Sequence, residues 1–171
     1  MRLPRILRRM ASAKQHKLLS AGVRAPEFRL TRLDGSQASL QDLSGKSPAV
    51  LAFFKVNCPV CQLTFPFLER IHAAGTLPIY GVSQNCADDT REFARHFAIT
   101  FPMLRDEEKQ GFQASNDFGI SSVPTLFFIQ PDGKIGRVIE GWSRADIEWL
   151  GAQAGVRPIR PEDNVPALKA G

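Results

Sequence analysis

The chain has 171 residues, 43% of them apolar and 23% charged, with 13 Gly and 12 Pro. That is ordinary globular composition with enough length for one domain and its own core, and it excludes disorder, collagen and coiled coil as descriptions of the whole. The net charge of +5 is concentrated near the start, because residues 1–24 hold seven Lys/Arg and no acid, leaving 15 basic against 17 acidic residues in 25–171; a body without excess positive charge argues against nucleic acid as a partner.

Residues 1–21 read as a basic, flexible tail. Leu3, Ile6, Leu7 and Met10 share one helical face, with Arg2, Arg5, Arg8 and Arg9 elsewhere. Two other readings therefore stand beside the first: contact of residues 1–10 with an anionic membrane surface, and an Arg-rich organelle transit segment. Met10 is an alternative start. The best apolar run, Leu3 to Leu7, is broken by Pro4 and Arg5 and is too short for a membrane span or a signal-peptide core. No export by the usual secretory route is expected, and the expected location is cytoplasmic.

The body is predicted over residues 22–155. Ala25–Leu30 and Gln37–Leu40 are short strands joined through Asp34-Gly35, a pair suited to a tight hairpin turn. Ala49–Phe54 is an unbroken apolar run of strand length, which predicts a central strand covered on both faces. It leads through Lys55-Val56-Asn57 into Cys58, and from there to Ala74 the residues Leu63, Phe67, Leu68 and Ile71 recur at helical spacing, with Pro66 predicted to kink that helix. Leu77–Ser83 is a second buried strand and Asp88–Phe97 a helix with Phe93 and Phe97 inward. This strand-helix alternation predicts parallel pairing. A shorter helix around Glu107–Phe118 precedes Val123–Ile129, which forms an antiparallel hairpin with Ile135–Glu140 through Pro131-Asp132-Gly133-Lys134. Ser143 and Asp146 open a last helix to about Ala154, with Trp142 and Trp149 as core or rim aromatics beside it. Residues 156–171, with Pro158, Pro161 and Pro166, read as a loose C-terminal tail.

Cys58-Pro59-Val60-Cys61 carries the chemistry. Two thiols in the first turn of a helix lie close enough to close a disulfide, and the free N–H groups and positive dipole of a helix N-terminus favour a thiolate. Pro59 suits the first helical position, which needs no donor. Cys58, ahead of the turn, is the candidate attacking thiolate and Cys61 the candidate resolving thiol. Lys55 is a candidate electrostatic helper, or a side chain that merely snorkels at a strand end. Cys86 follows a strand whose carboxyl end faces the same rim as the site, so it reads either as an auxiliary third thiol or as a tolerated free cysteine. A zinc site using the pair with Cys86 and His72 or His96 is a weaker reading, because the second half lacks paired spacing. No metal and no cofactor is expected.

In Ala25-Pro26-Glu27-Phe28, the Cys58/Cys61 pair, Pro66 and Val123-Pro124-Thr125, taken in order and spacing over roughly Gly22–Ala154, the chain resembles the thioredoxin superfamily, and within it the redoxin branch of AhpC/TSA type, which includes thiol-disulfide proteins and peroxiredoxins. The resemblance implies an α/β, thioredoxin-like fold: a central mixed sheet flanked by helices with an N-terminal β-hairpin extension. It also implies a cis peptide before Pro124, with Val123 and Pro124 offering backbone to a bound substrate chain. Xaa-Pro is where cis bonds occur.

The expected function is that of a thiol-disulfide oxidoreductase cycling the Cys-Pro-Val-Cys dithiol, as a reductant of protein or small-molecule disulfides, with an electron donor such as a thioredoxin-reductase-type system. Two alternatives accompany it: a thiol-dependent peroxidase using Cys58, and a non-catalytic or zinc-bound interaction module. The chain departs from the family where Asn57 replaces a common Trp and Ala52 a buried acid. Lys55 and Leu51 stand where peroxiredoxins have a hydroxyl residue and a proline, which weakens the peroxidase reading.

Overall fold

The computed structural model describes residues 17–171, so the readings made for residues 1–16 lie outside the described residues. Strands β1 (Arg29–Arg32) and β2 (Gln37–Ser39) form the expected N-terminal hairpin, but the first strand lies closer to the turn than the expected Ala25–Leu30. Helix α1 (Leu40–Ser44) follows at once and was not anticipated. Its start was nonetheless written in the sequence, because the Ser39 hydroxyl accepts the Asp42 N–H while the Asp42 carboxylate accepts the Ser39 N–H.

The central strand β3 (Ala49–Phe54) is buried at every position, as an all-apolar run covered on both faces requires. Helix α2 (Pro59–His72), strand β4 (Ile79–Ser83) and helix α3 (Ala87–His96) come next. The short strand β5 (Met103–Arg105), absent from the sequence reading, pairs parallel to β4. The segment expected as one helix around Glu107–Phe118 is instead a 3₁₀ turn (Glu108–Gln110) and helix α4 (Gln113–Phe118), interrupted where Gly111 and Phe112 both take positive φ. Buried Asp106 holds the start of α4 by accepting the Ala114 and Ser115 N–H groups. Strands β6 (Thr125–Ile129) and β7 (Ile135–Glu140) make the antiparallel hairpin, followed by β8 (Trp142–Ser143) and α5 (Arg144–Gln153).

The main sheet has seven strands in the order β2-β1-β5-β4-β3-β6-β7, with β3, β4 and β5 parallel and the other pairings antiparallel. The side chains of β3 alternate between two cores. Val50, Ala52 and Phe54 pack with α2, α3 and α5, where Phe54 stacks on Phe65 at 4.4 Å and on Phe93 at 4.9 Å. Leu51 and Phe53 face α1 and α4, and Phe53 lies 5.2 Å from Phe118. Aromatic pairs of this kind contribute about 0.5–1.5 kcal/mol each beyond the area they bury. They hold α2 and its first turn against the carboxyl end of β3.

Residues 156–171 correct the expectation of a loose tail. Arg70 on α2 donates to the Pro158 carbonyl at 2.9 Å and forks onto both oxygens of Asp163 at 2.7 and 3.0 Å. The Trp142 indole N–H donates to Pro166 O at 2.7 Å, and β9 (Leu168–Lys169) pairs antiparallel with β8. Prolines and polar residues suggest looseness only while their partners are unknown; here a buried indole and a guanidinium, distant in sequence, satisfy the backbone.

The Arg70 guanidinium, with the Arg160 N–H, holds the Asp163 carboxyl down at about 2. A carboxylate so depressed stabilises at all pH values above the ordinary aspartate range, and its contribution disappears as pH falls through about 2. Trp142 fluorescence should therefore be steady from pH 7 to about 4 and change on approach to pH 2 as the segment loosens. Asp163→Asn should show the loosened signal already at pH 7. Identical acid profiles for the two proteins would show that the ion pair does not anchor the segment.

Candidate active site

The end of β3 and the start of α2 meet at Cys58, which is the N-cap of α2 with extended backbone (φ −83°, ψ 116°) and Pro59 in the first turn. An N-cap side chain ordinarily offers oxygen to the free N–H groups of the first turn. Sulfur takes that place here: Cys58 Sγ accepts the Cys61 N–H at 3.2 Å. The same sulfur donates to the Val123 carbonyl at 3.3 Å, so β6's entry loop and α2's first turn converge on one atom. The Val123-Pro124 peptide is cis, as the resemblance implies, and Pro124 is buried.

The two thiols sit in different environments. Cys58 is partly exposed between the exposed residues Asn57 and Pro59, whereas Cys61 has no accessible surface. Burial, reinforced by the Cys58 side chain beside it, pushes the Cys61 thiol well above its ordinary range. Among the described residues the buried carboxylate is Asp106, committed to α4, and the position beneath the site is Ala52. Thr64, one turn on from Cys61, spends its hydroxyl on Val60 O. Neither Asp106 nor Thr64 is therefore free to act as a base toward Cys61.

The loop before Cys58 is pinned from two directions that the sequence did not reveal. Asn85 accepts the Val56 N–H at 3.0 Å, and Gln62 donates to the Val56 carbonyl at 3.0 Å. Gln62 lies in the first turn of α2, and Asn85 just beyond β4. The signal for Asn85 was its place at the carboxyl end of a parallel strand, the rim where such sheets gather their sites.

Of the residues singled out from the sequence, the structure brings together Cys58, Cys61, Val123 and Pro124. Lys55 joins through its backbone, whose carbonyl accepts the Cys58 N–H at 3.2 Å; its side chain is exposed and makes no hydrogen bond among the described residues. Cys86 does not join them. It is exposed, caps α3 by accepting the Asp89 N–H at 3.5 Å, and lines a separate hollow with Arg105, Glu107 and Lys109. The zinc reading needed Cys86 and a histidine beside the pair, but His72 packs on Phe101 and His96 on Phe97. Among the described residues no group of three or more His, Cys, Asp and Glu is placed to hold a metal.

A mixed sheet with flanking helices, a Cys-x-x-Cys at the start of the helix after the central strand, and a cis-proline loop touching its first sulfur define a class: the protein is a thioredoxin-fold thiol-disulfide oxidoreductase. The chain belongs to the AhpC/TSA family, whose model matches residues 21–138. It is 30% identical over 132 residues to the thiol-disulfide oxidoreductase ResA of Geobacillus thermodenitrificans, covering 72% of this chain and 71% of that protein. It is 32% identical over 129 residues to the thioredoxin-like protein YneN of Bacillus subtilis, covering 72% and 73%. Among solved structures, a putative thiol:disulfide interchange protein DsbE from Chlorobium tepidum superposes with a TM-score of 0.68 at 27% identity, over 80% of this chain and 96% of that one.

Alkylation tests the asymmetry between the two thiols. In a Cys86→Ser background, iodoacetamide at neutral pH should modify Cys58 at least about tenfold faster than Cys61, since the thiolate is the reacting form and burial withholds it at Cys61. Faster modification of Cys61, read by mass spectrometry, would reverse the assignment.

Proposed function

We propose that Cys58 and Cys61 cycle between dithiol and disulfide, with Cys58 as the attacking thiolate and Cys61 as the resolving thiol, and that the protein works as a reductant of protein or small-molecule disulfides. The observation that carries this reading is the placement of one sulfur at the surface under a helix N–H with the other buried behind it.

In the first step Cys58 Sγ⁻ attacks one sulfur of a substrate disulfide. A Cys58–substrate disulfide forms, the substrate S–S bond breaks, and its second sulfur leaves as thiolate. Cys61 is shielded from solvent and lies behind the Cys58 sulfur. Its thiol gives up its proton to the departing thiolate or to water at the rim, attacks Cys58 Sγ, and releases the second substrate thiol. The products are a Cys58–Cys61 disulfide and two substrate thiols, a two-electron exchange. A dithiol donor of thioredoxin-reductase type reverses the change at the protein and completes the cycle.

The reducing direction is supported by the contacts of the reduced pair. Strong oxidants of this kind owe their potential to a stabilised reduced form. Here a Cys58 thiolate would keep one donor, the Cys61 N–H, but would face the Val123 carbonyl that now accepts its proton, and burial disfavours charge on Cys61. A dithiol so held releases its electrons readily, which suits a reducing compartment such as the cytoplasm. The peroxidase reading gains nothing from the site, since Leu51 is buried in β3 and Lys55 brings no hydroxyl to the sulfur.

Cys58→Ser should abolish reduction of insulin disulfides, and Cys61→Ser should lose turnover while accumulating mixed disulfides with the substrate, because it keeps the nucleophile and loses the resolver. The potential of the 58–61 couple should lie nearer the thioredoxin value of about −270 mV than the oxidant value of about −120 mV. Full turnover by either variant defeats the dithiol mechanism; a potential near the oxidant value reverses the direction; peroxide consumption at rates matching disulfide reduction favours the peroxidase.

A further inference from the structure

The family-model match ends at residue 138, yet residues beyond it reach the candidate site. After the Arg70–Asp163 pair, the chain passes under the Trp142 indole at Pro166, Ala167 O accepts the Arg144 N–H at 2.9 Å, and Leu168 and Lys169 pair with Ser143 and Trp142. It then crosses Gly141, which takes φ +68° and has no room for a side chain beneath Lys169, and whose N–H donates to the Pro124 carbonyl at 2.8 Å. Gly171 comes to rest against the Val123 carbonyl and the Pro124 nitrogen, so closely that a Cβ on Gly171 would collide with Val123 O.

That carbonyl is the one Cys58 Sγ touches. Any substrate joined to Cys58 through sulfur must put its own neighbouring atoms beside Val123 or on the opposite side, where Asn57 and Pro59 are exposed. The Val123 side is taken by residues of the chain itself. The occupying segment is held by backbone hydrogen bonds and little else: residues 166–171 are all exposed, and Leu168 keeps 75% of its surface in solvent. With so little apolar area buried, lifting it off costs little hydrophobic free energy.

We propose that residues 167–171 act as a strap that sets the size of the substrate. With the strap on β8, Cys58 admits a low-molecular-weight disulfide from the Asn57–Pro59 side. A polypeptide disulfide, which needs room for extended chain on both sides of its cysteine, reacts only when the strap leaves Val123. This rests on the reading of Cys58 as the attacking thiol.

The test is a chain ending at Pro166, which keeps the Arg70–Asp163 pair and the Pro166 carbonyl over Trp142 and removes only the strap. Reduction of insulin and of glutathione disulfide is measured for both chains, each with its Cys58→Ser control. A site open about a tenth of the time keeps only that fraction of its apparent affinity, so kcat/KM for insulin should rise about tenfold on truncation while that for glutathione disulfide changes less than about twofold. An unchanged or lower insulin rate, or a parallel fall in both rates, overturns the strap. Activity that survives Cys58→Ser, or its absence toward both substrates in the intact chain, defeats the Cys58 reading, and the strap proposal falls with it. The intact chain supplies a second reading through hydrogen exchange in Cys61→Ser. A mixed disulfide with a cysteine-containing peptide of about ten residues should speed exchange at the 168–169 amides, and one with glutathione should not. Equal protection in the two adducts also overturns the proposal.

Discussion

The contact on which the rest of the site depends is the one between Cys58 Sγ and the N–H of Cys61. It makes the nucleophile candidate a structural cap of its own helix. The sulfur is therefore placed by the same hydrogen bond that starts α2, and α2 is placed by Phe65 and Leu68 packing into the core beneath β3. A cap formed by a reactive atom couples chemistry to structure, because oxidation to a Cys58–Cys61 disulfide or capture in a mixed disulfide changes what that sulfur can accept. The neighbouring Val123 carbonyl extends the coupling to β6, on the other side of β3 from β4.

Around that cap the loop Lys55–Asn57 is held through its own backbone groups, two of them bonded to side chains from β4's end and α2. Val56 is fixed at both its N–H and its carbonyl, by Asn85 and Gln62, and Lys55 closes the turn onto the Cys58 N–H. Fixing the backbone leaves the side chains of Lys55 and Asn57 exposed at the surface beside Cys58. On the Val123 side, Gly171 lies against the carbonyl that Cys58 Sγ touches, which is where the proposed strap would act.

The two thiols illustrate how little chemistry the covalent motif specifies. Both lie in one turn, yet burial sets Cys61 apart and the helix end serves Cys58. Among the described residues the buried carboxylate is Asp106, and it is committed to α4. Position 52, where the resemblance implies a buried acid, is alanine and lies in the packed apolar layer between β3 and α2.

The sequence by itself determined the elements whose information is local. The all-apolar run of β3, the helical spacing of α2, the Asp34-Gly35 turn and the Ser143 cap of α5 are each decided by neighbours a few residues away, and each is found where the pattern puts it. The cysteine pair was legible for the same reason, since its two members share one turn. Only the tertiary structure decided the partners of residues far apart. Asn85 gives no sign of Val56 until β3 and β4 lie side by side, and Cys86 follows a strand end yet turns to cap α3 instead of facing the pair. The three-residue β5 is too short to show a period, and it exists because β4 and β1 offer it partners on both edges. Residues 156–171 carry the composition of a tail, but their backbone groups find Arg70, Trp142 and the edge of β8 only once the chain has folded, and those long-range hydrogen bonds override what local propensity would choose.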